Sequence, residues 1–173
     1  MSPAEYELVA KKVIILFGVS GAGKTTIGQL LAEDLGWQFY DGDDFHPPAN
    51  VEKMKQGIPL TDEDRTPWLD ALRLLVLTLA QRGEPAIVTS SALKRAYREH
   101  ILGDTENASF VYLRGDYELI RERLEDRRMH FMKPDLLDSQ FQALEEPEDS
   151  LVVDIRQNPK AIVSYIKESL RLS

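Results

Sequence analysis

The chain has 173 residues, with 29 acidic side chains against 21 basic, a formal net charge of −8 and no cysteine. That balance excludes general binding to nucleic acid or an anionic membrane, and the lack of thiols excludes a disulfide framework and a thiolate metal centre. No apolar stretch approaches the ~20 residues of a membrane span, and positions 1–11 lack the basic and apolar regions of a signal peptide, so one cytoplasmic domain over 1–173 is expected.

The first predicted element is a strand, Val13 to Phe17, running into Gly18-Val19-Ser20-Gly21-Ala22-Gly23-Lys24-Thr25-Thr26. Beyond it Ile27, Leu30, Leu31 and Leu35 recur as one face of a helix. Strand, glycine loop and helix form the context that a phosphate-binding P-loop requires. A polyphosphate needs several backbone N–H donors turned inward, and glycines permit that approach, while the helix adds its positive end. Lys24 suits the β- and γ-phosphates, and the Thr25 hydroxyl suits Mg²⁺. Residues 18–26 are therefore the candidate nucleotide loop.

Further strands are predicted at Gln38 to Tyr40, Ala86 to Thr89, Phe110 to Leu113 and Leu151 to Val153. Helical patterns lie at Pro67 to Gln81, Tyr117 to Arg127, Pro134 to Leu144 and Pro159 to Leu172, with Pro67, Pro134 and Pro159 suited to first turns. The alternation implies an α/β domain around a parallel sheet of about five strands, with ligands gathered at the carboxyl ends of those strands.

The second strand runs straight into Asp41-Gly42-Asp43-Asp44, which sets carboxylates beside the P-loop. Such groups hold Mg²⁺ through water or accept the proton of an attacking hydroxyl, and Asp41 and Asp43 are the candidates; Asp44 diverges from them. His46 precedes Pro47-Pro48, so its backbone is held extended. A zinc site is excluded because there is no cysteine and His46, His100 and His130 are scattered.

The strings DGDDFHPPANVEKMKQGIPLTDEDRTPWL, SALKRAYRE, YLRGDYELIRERLEDRRMHFM and LLDSQFQALEEP, together with GVSGAGKTT, resemble the P-loop gluconokinases, relatives of the shikimate and adenylate kinases. The similarity runs from about Val13 to Ile155. It implies a three-layer P-loop kinase fold with a mobile lid at about 128–142, ATP and Mg²⁺, D-gluconate as acceptor, 6-phospho-D-gluconate as product, and a homodimer. A related kinase acting on shikimate, a nucleoside monophosphate or another sugar acid stays open, as does a nucleotide-dependent switch.

Under that resemblance Lys24, Asp43 and Arg127 are the catalytic candidates, and Thr25 and Asp41 the metal candidates. Gluconate carries one carboxylate and several hydroxyls. Arg65, Lys94 and Arg98 are expected to meet the carboxylate, Lys94 and Arg98 sharing a helical face by their spacing. Asp43, His46, Lys53 and Gln140 are the remaining acceptor-site candidates. Arg123 and Arg127, also four apart, are the expected lid contacts to ATP; Met129 stands where family members often carry glycine before the His-Phe pair. Residues 154–158 are expected to pass under the adenine. Trp68, in register with Leu69, Leu72, Leu75, Val76 and Leu79, is expected to pack in the core.

Overall fold

The structure, a computed structural model, describes residues 11–126 and 134–173. Strand β1 (Val13–Phe17) is buried along its whole length and pairs in parallel with β3 (Ala86–Ser90) on one side and β4 (Ala108–Arg114) on the other. An unbroken apolar run is what a strand covered on both faces needs. With β2 (Gln38–Asp41) and β5 (Leu151–Asp154) at the edges, the order is β2-β3-β1-β4-β5, all parallel.

The pleat divides β1 between two cores. Ile14 and Leu16 pack with Ile27 and Leu31 of α1 (Lys24–Leu35) and Ile162 and Ile166 of the last helix, α7 (Pro159–Leu170). Val13, Ile15 and Phe17 pack with Trp68, Leu72 and Val76 of α3 (Asp62–Arg82) and Tyr97 and Ile101 of α4 (Arg95–Leu102). Helices thus cover both faces of the sheet, the three layers that the alternating pattern implies. No helix among the described residues is long and apolar enough to cross a membrane.

The five predicted strands are all present, with β2 running on to Asp41 and β4 starting at Ala108. The helices depart from expectation in two places. Helix α3 begins at Asp62 because Thr61 Oγ1 accepts from the Asp64 N–H at 3.1 Å while the Asp64 carboxylate accepts from the Thr61 N–H at 3.0 Å. This reciprocal cap starts the helix early and leaves Pro67 inside it, not in the first turn. The prolines after His46 do more than hold the chain extended: Pro48 opens an unpredicted helix, α2 (Pro48–Lys55). Helices α5 (Tyr117–Asp126) and α6 (Pro134–Ala143) flank the segment outside the described residues.

After β2 the chain turns through one short 3-10 helix, Gly42–Phe45. A Cβ at Gly42 would lie 2.0 Å from the Thr89 carbonyl oxygen of β3. The indole of Trp68, 1% exposed, donates to the Gly42 carbonyl at 2.8 Å. The acidic turn is therefore clamped between the sheet and α3. Gly42→Ala should cost about 2 kcal/mol or more, because backbone must move. Gly36→Ala should cost only about 1 kcal/mol, since its φ of 69° strains an alanine but nothing lies within 4 Å of the added methyl. Urea melts of both variants check this; a Gly42→Ala protein as stable as the parent would contradict the clamp.

Candidate functional site

Residues 18–23 turn from β1 into α1 above the carboxyl edge of the sheet. Gly18 approaches the Leu113 carbonyl where a Cβ would be 2.7 Å away, and Gly23 caps α1 with φ of 93°, a left-handed conformation that only glycine adopts readily. No side chain caps this helix. Its first-turn N–H groups, including those of Thr25 and Thr26, consequently face an anion site, and both threonine side chains are exposed there. The side chains of Val19 and Ala22 instead enter the core, so these two residues can offer a ligand only their backbone.

Lys24 folds over this loop, its Nζ donating to the carbonyls of Gly18 at 2.8 Å and Val19 at 3.1 Å. Burial pushes its pKa down, with the Asp43 and Asp41 carboxylates acting in the opposite direction. Asp43 is the counterpart. Its carboxyl reaches water through the cleft, yet the surrounding protein pushes its pKa up; Lys24 opposes this and Asp41 adds to it. A carboxylate of raised basicity beside a lysine aimed at phosphates has the character of a general base. Asp41 holds the turn itself, its Oδ1 accepting from the Asp43 N–H at 3.0 Å and from the Thr89 hydroxyl at 3.4 Å. Asp44 is exposed and lies off the cleft wall, as expected.

A cleft of about 460 Å³ opens over Asp43, lined also by Ser20, His46, Arg65, Ser91 and Gln140. That volume suits a small acceptor. His46 stacks on Trp68 with ring centroids 4.4 Å apart and planes 10° from parallel. Burial, with Arg65 adding to it, lowers the His46 pKa to about 4, so the ring is neutral at physiological pH. Gln140 of α6 is tied to the P-loop: its Oε1 accepts from the Ser20 N–H at 2.8 Å and its Nε2 donates to Ser20 Oγ at 3.2 Å. Trp68 is a core anchor, as its register predicts, and also the platform that fixes the imidazole.

The expected cationic cluster divides. Arg65 lines the cleft and donates to the Tyr97 hydroxyl at 3.1 Å. Lys94 is set back from the cleft wall, its Nζ 3.4 Å from Asp62 Oδ1. Asp62 also accepts from Tyr97, and that hydroxyl, followed by Lys94, holds the carboxyl below its usual range. Two expected site residues are corrected. Lys53 is paired to the Asp64 carboxylate at 2.8 Å, away from the cleft. Arg98 is 7% exposed and donates to the carbonyls of Ala92, Leu93 and Glu145 at 3.0, 2.9 and 2.7 Å, with its guanidinium 4.6 Å from the Phe17 ring centroid. It ties α4 to the loop after α6. The shared-face expectation fails because Lys94 is the N-cap of α4, at φ −93° and ψ 144°, so helical spacing does not yet apply to it.

Arg123 lies on α5 and donates to the Ile155 carbonyl at 2.8 Å. With Gly23, Thr26, Ile155 and Gln157 it lines a smaller hollow, of about 170 Å³, beside the start of α1. This hollow adjoins the stretch expected under the adenine. Arg156 turns away and pairs with Asp154 at 3.0 Å. Arg127, Met129 and the rest of 127–133 lie outside the described residues.

Among the described residues no group of three or more His, Asp or Glu side chains could hold a metal on protein ligands alone. Mg²⁺ keeps several waters and is bound through one or two protein oxygens plus substrate phosphates. The Thr25 hydroxyl and Asp41 Oδ2, the oxygen not used by the turn, are the donors that fit.

Sequence reading missed Asn50, Ser91 and the apolar wall of Val51, Met54 and Ile58. The SALK string signalled Ser91; Asn50 gave no signal without the helix that carries it.

Comparison with known proteins matches residues 20–171 to the shikimate kinase family model. The chain is 46% identical to the gluconokinase of Gluconobacter oxydans, over 80% of this chain and 78% of that one. It is 41% identical to the thermosensitive gluconokinase of Escherichia coli, over 94% and 89% of the two chains. The crystal structure of a gluconokinase from Sinorhizobium meliloti superposes with a TM-score of 0.84, at 41% identity and over 93% of this chain and 92% of that one.

The divided cations generate a test. Arg98→Ala should lower stability by about 2–3 kcal/mol, since it leaves buried carbonyls without a donor, and should leave affinity in the cleft unchanged. Urea melts and ligand titrations read the two effects separately; lost affinity at unchanged stability would return Arg98 to the site.

Proposed function

The chain belongs to the gluconokinase family, and on that premise we propose that it transfers the γ-phosphoryl group of ATP to a hydroxyl of D-gluconate, giving 6-phospho-D-gluconate and ADP. The observation that carries this reading is the placement of the Asp43 carboxyl, within the electrostatic reach of Lys24 of the phosphate loop, on the wall of a cleft that also carries Arg65.

The P-loop amides hold the β- and γ-phosphates, and Lys24 leaves the Gly18 and Val19 carbonyls to meet charge developing on the transferring group. Asp43 takes the proton of the attacking hydroxyl as its oxygen bonds to phosphorus and the bond from the γ-phosphorus to the bridging oxygen breaks, leaving ADP. Arg65 pairs with the gluconate carboxylate; Lys94, held by Asp62, adds to the positive field at that end. Thr25 and Asp41 would hold Mg²⁺, which would supply charge neutralisation to the phosphates. Arg123 serves the base end of the nucleotide, and Arg127 the phosphates on closure of a lid at about 128–142. The working unit is a homodimer in the cytoplasm.

Incubation with ATP, Mg²⁺ and a panel of acceptors, reading ADP, tests this. Gluconate should be turned over and glucose should not, by over about 10²-fold in kcat/KM, because a neutral sugar leaves the partly desolvated Arg65 with only the exposed Asp62 carboxylate, 3.9 Å away, as counter-charge. Comparable values for the two would defeat the sugar-acid reading. Arg65→Ala should narrow the preference by losing gluconate, whereas Arg127→Ala should reduce turnover and leave the preference alone. Lys24→Met should fold and lose at least about 10²-fold in kcat; near-normal turnover in that variant would sink the phosphate-loop assignment.

A further inference from the structure

Asn50 is a polar side chain buried to 3% exposure in the first turn of α2, between the His46 loop and the start of α3. Its Nδ2 donates to the backbone carbonyl of Asp64 at 2.8 Å. A carbonyl can only accept, which fixes this atom as the amide nitrogen. The same nitrogen lies 3.2 Å from His46 Nδ1, so its second hydrogen points at the ring. Nδ1 must then accept, and an imidazole with one bare nitrogen is neutral with its proton on Nε2. Stacking on Trp68 holds the ring plane while Asn50 fixes its hydrogen-bonding sense. The Asp64 carbonyl is itself held, since the Asp64 carboxylate caps Thr61 and pairs with Lys53 at 2.8 Å, and the next residue is Arg65.

We infer that Asn50 is a positioning residue that locks His46 as the Nε2–H tautomer, so that the cleft offers the sugar-acid acceptor an uncharged hydrogen-bond donor beside the charged Arg65. The inference rests on the proposed activity. An imidazolium next to Arg65 would add a second positive charge and compete for the carboxylate; a neutral N–H instead meets a hydroxyl oxygen and leaves the carboxylate to arginine. Asn50 joins the two recognition elements, since one amide touches both the histidine and the backbone that carries Arg65. A site that hydrogen-bonds a substrate hydroxyl discriminates strongly against analogues lacking it, provided its own donor is fixed beforehand.

Side-chain ¹⁵N NMR of the full-length parent at neutral pH should show His46 protonated on Nε2 and bare on Nδ1. A ring protonated on Nδ1, or on both nitrogens, overturns the inference without any variant having to fold. Asn50→Ala should release the tautomer bias and raise the KM for gluconate about 10-fold, the worth of one good hydrogen bond, with the KM for ATP unchanged. His46→Gln supplies the control, because a glutamine amide presents an N–H near the Nε2 position and has no tautomer to fix. In that background Asn50→Ala should raise the KM by less than about 2-fold. Equal losses in both backgrounds would mean that Asn50 only braces α2, and would overturn the inference. A parent that fails to turn over gluconate overturns the proposed activity and this inference together; one that turns it over with an Nδ1–H imidazole overturns this inference alone.

Discussion

The ammonium of Lys24 and the carboxyl of Asp43 each sit where the protein disfavours their charge, and each favours the charge of the other. The rest of the structure keeps the two groups in place. Lys24 is set by a loop whose glycines allow backbone contacts that a Cβ would block, and Asp43 by a turn that Gly42 presses against β3 and Trp68 clamps from α3. Both groups leave the sheet at the carboxyl ends of parallel strands, where the twist of the sheet and the helix N-termini converge. Neither shift favours folding: a raised carboxyl pKa and a lowered lysine pKa both mean that the charged form costs stability in the native state. Two apolar cores, one on each face of the sheet, offset that cost.

A second network governs the acceptor side. Asp64 caps α3, pairs with Lys53, and through its backbone carbonyl orders Asn50, while Asp62 gathers Tyr97, Lys94 and Arg65. The acidic run 62–64 is therefore a scaffold that aims cations and one imidazole, and its charges limit how many free cations the cleft presents. Arg65 and Lys55 are the cations on the cleft wall among the described residues.

What could be read from the sequence, and what could not, follows from the kind of constraint involved. The P-loop was legible because it is a backbone requirement: few residues other than glycine fit the approach at Gly18 or the φ of Gly23. The central strand β1 was legible because a doubly covered strand must be an unbroken apolar run. The role of Arg98 was not, because spacing alone does not tell that Lys94 precedes the helix and that three carbonyls need a donor. Lys53 was misplaced for a similar reason: its partner, Asp64, is brought to it by a capping box and a helix, α2, that the paired prolines concealed. Asn50 is legible only in three dimensions, since its importance lies in two acceptors far apart in chemistry and near in space.

The central claim is that Asp43 works as the base. The most direct measurement is the pH dependence of kcat/KM for gluconate in the parent and in Asp43→Asn. A base must be ionised, so activity should rise with pH through the Asp43 pKa, and because desolvation by the surrounding protein raises that pKa the acid limb should centre above the ordinary carboxyl value of 3.8. In Asp43→Asn the limb should disappear, with kcat down by at least about 10²-fold and the KM for gluconate little changed. An acid limb that survives the substitution, or an Asp43→Asn enzyme with near-parental kcat, would contradict the account.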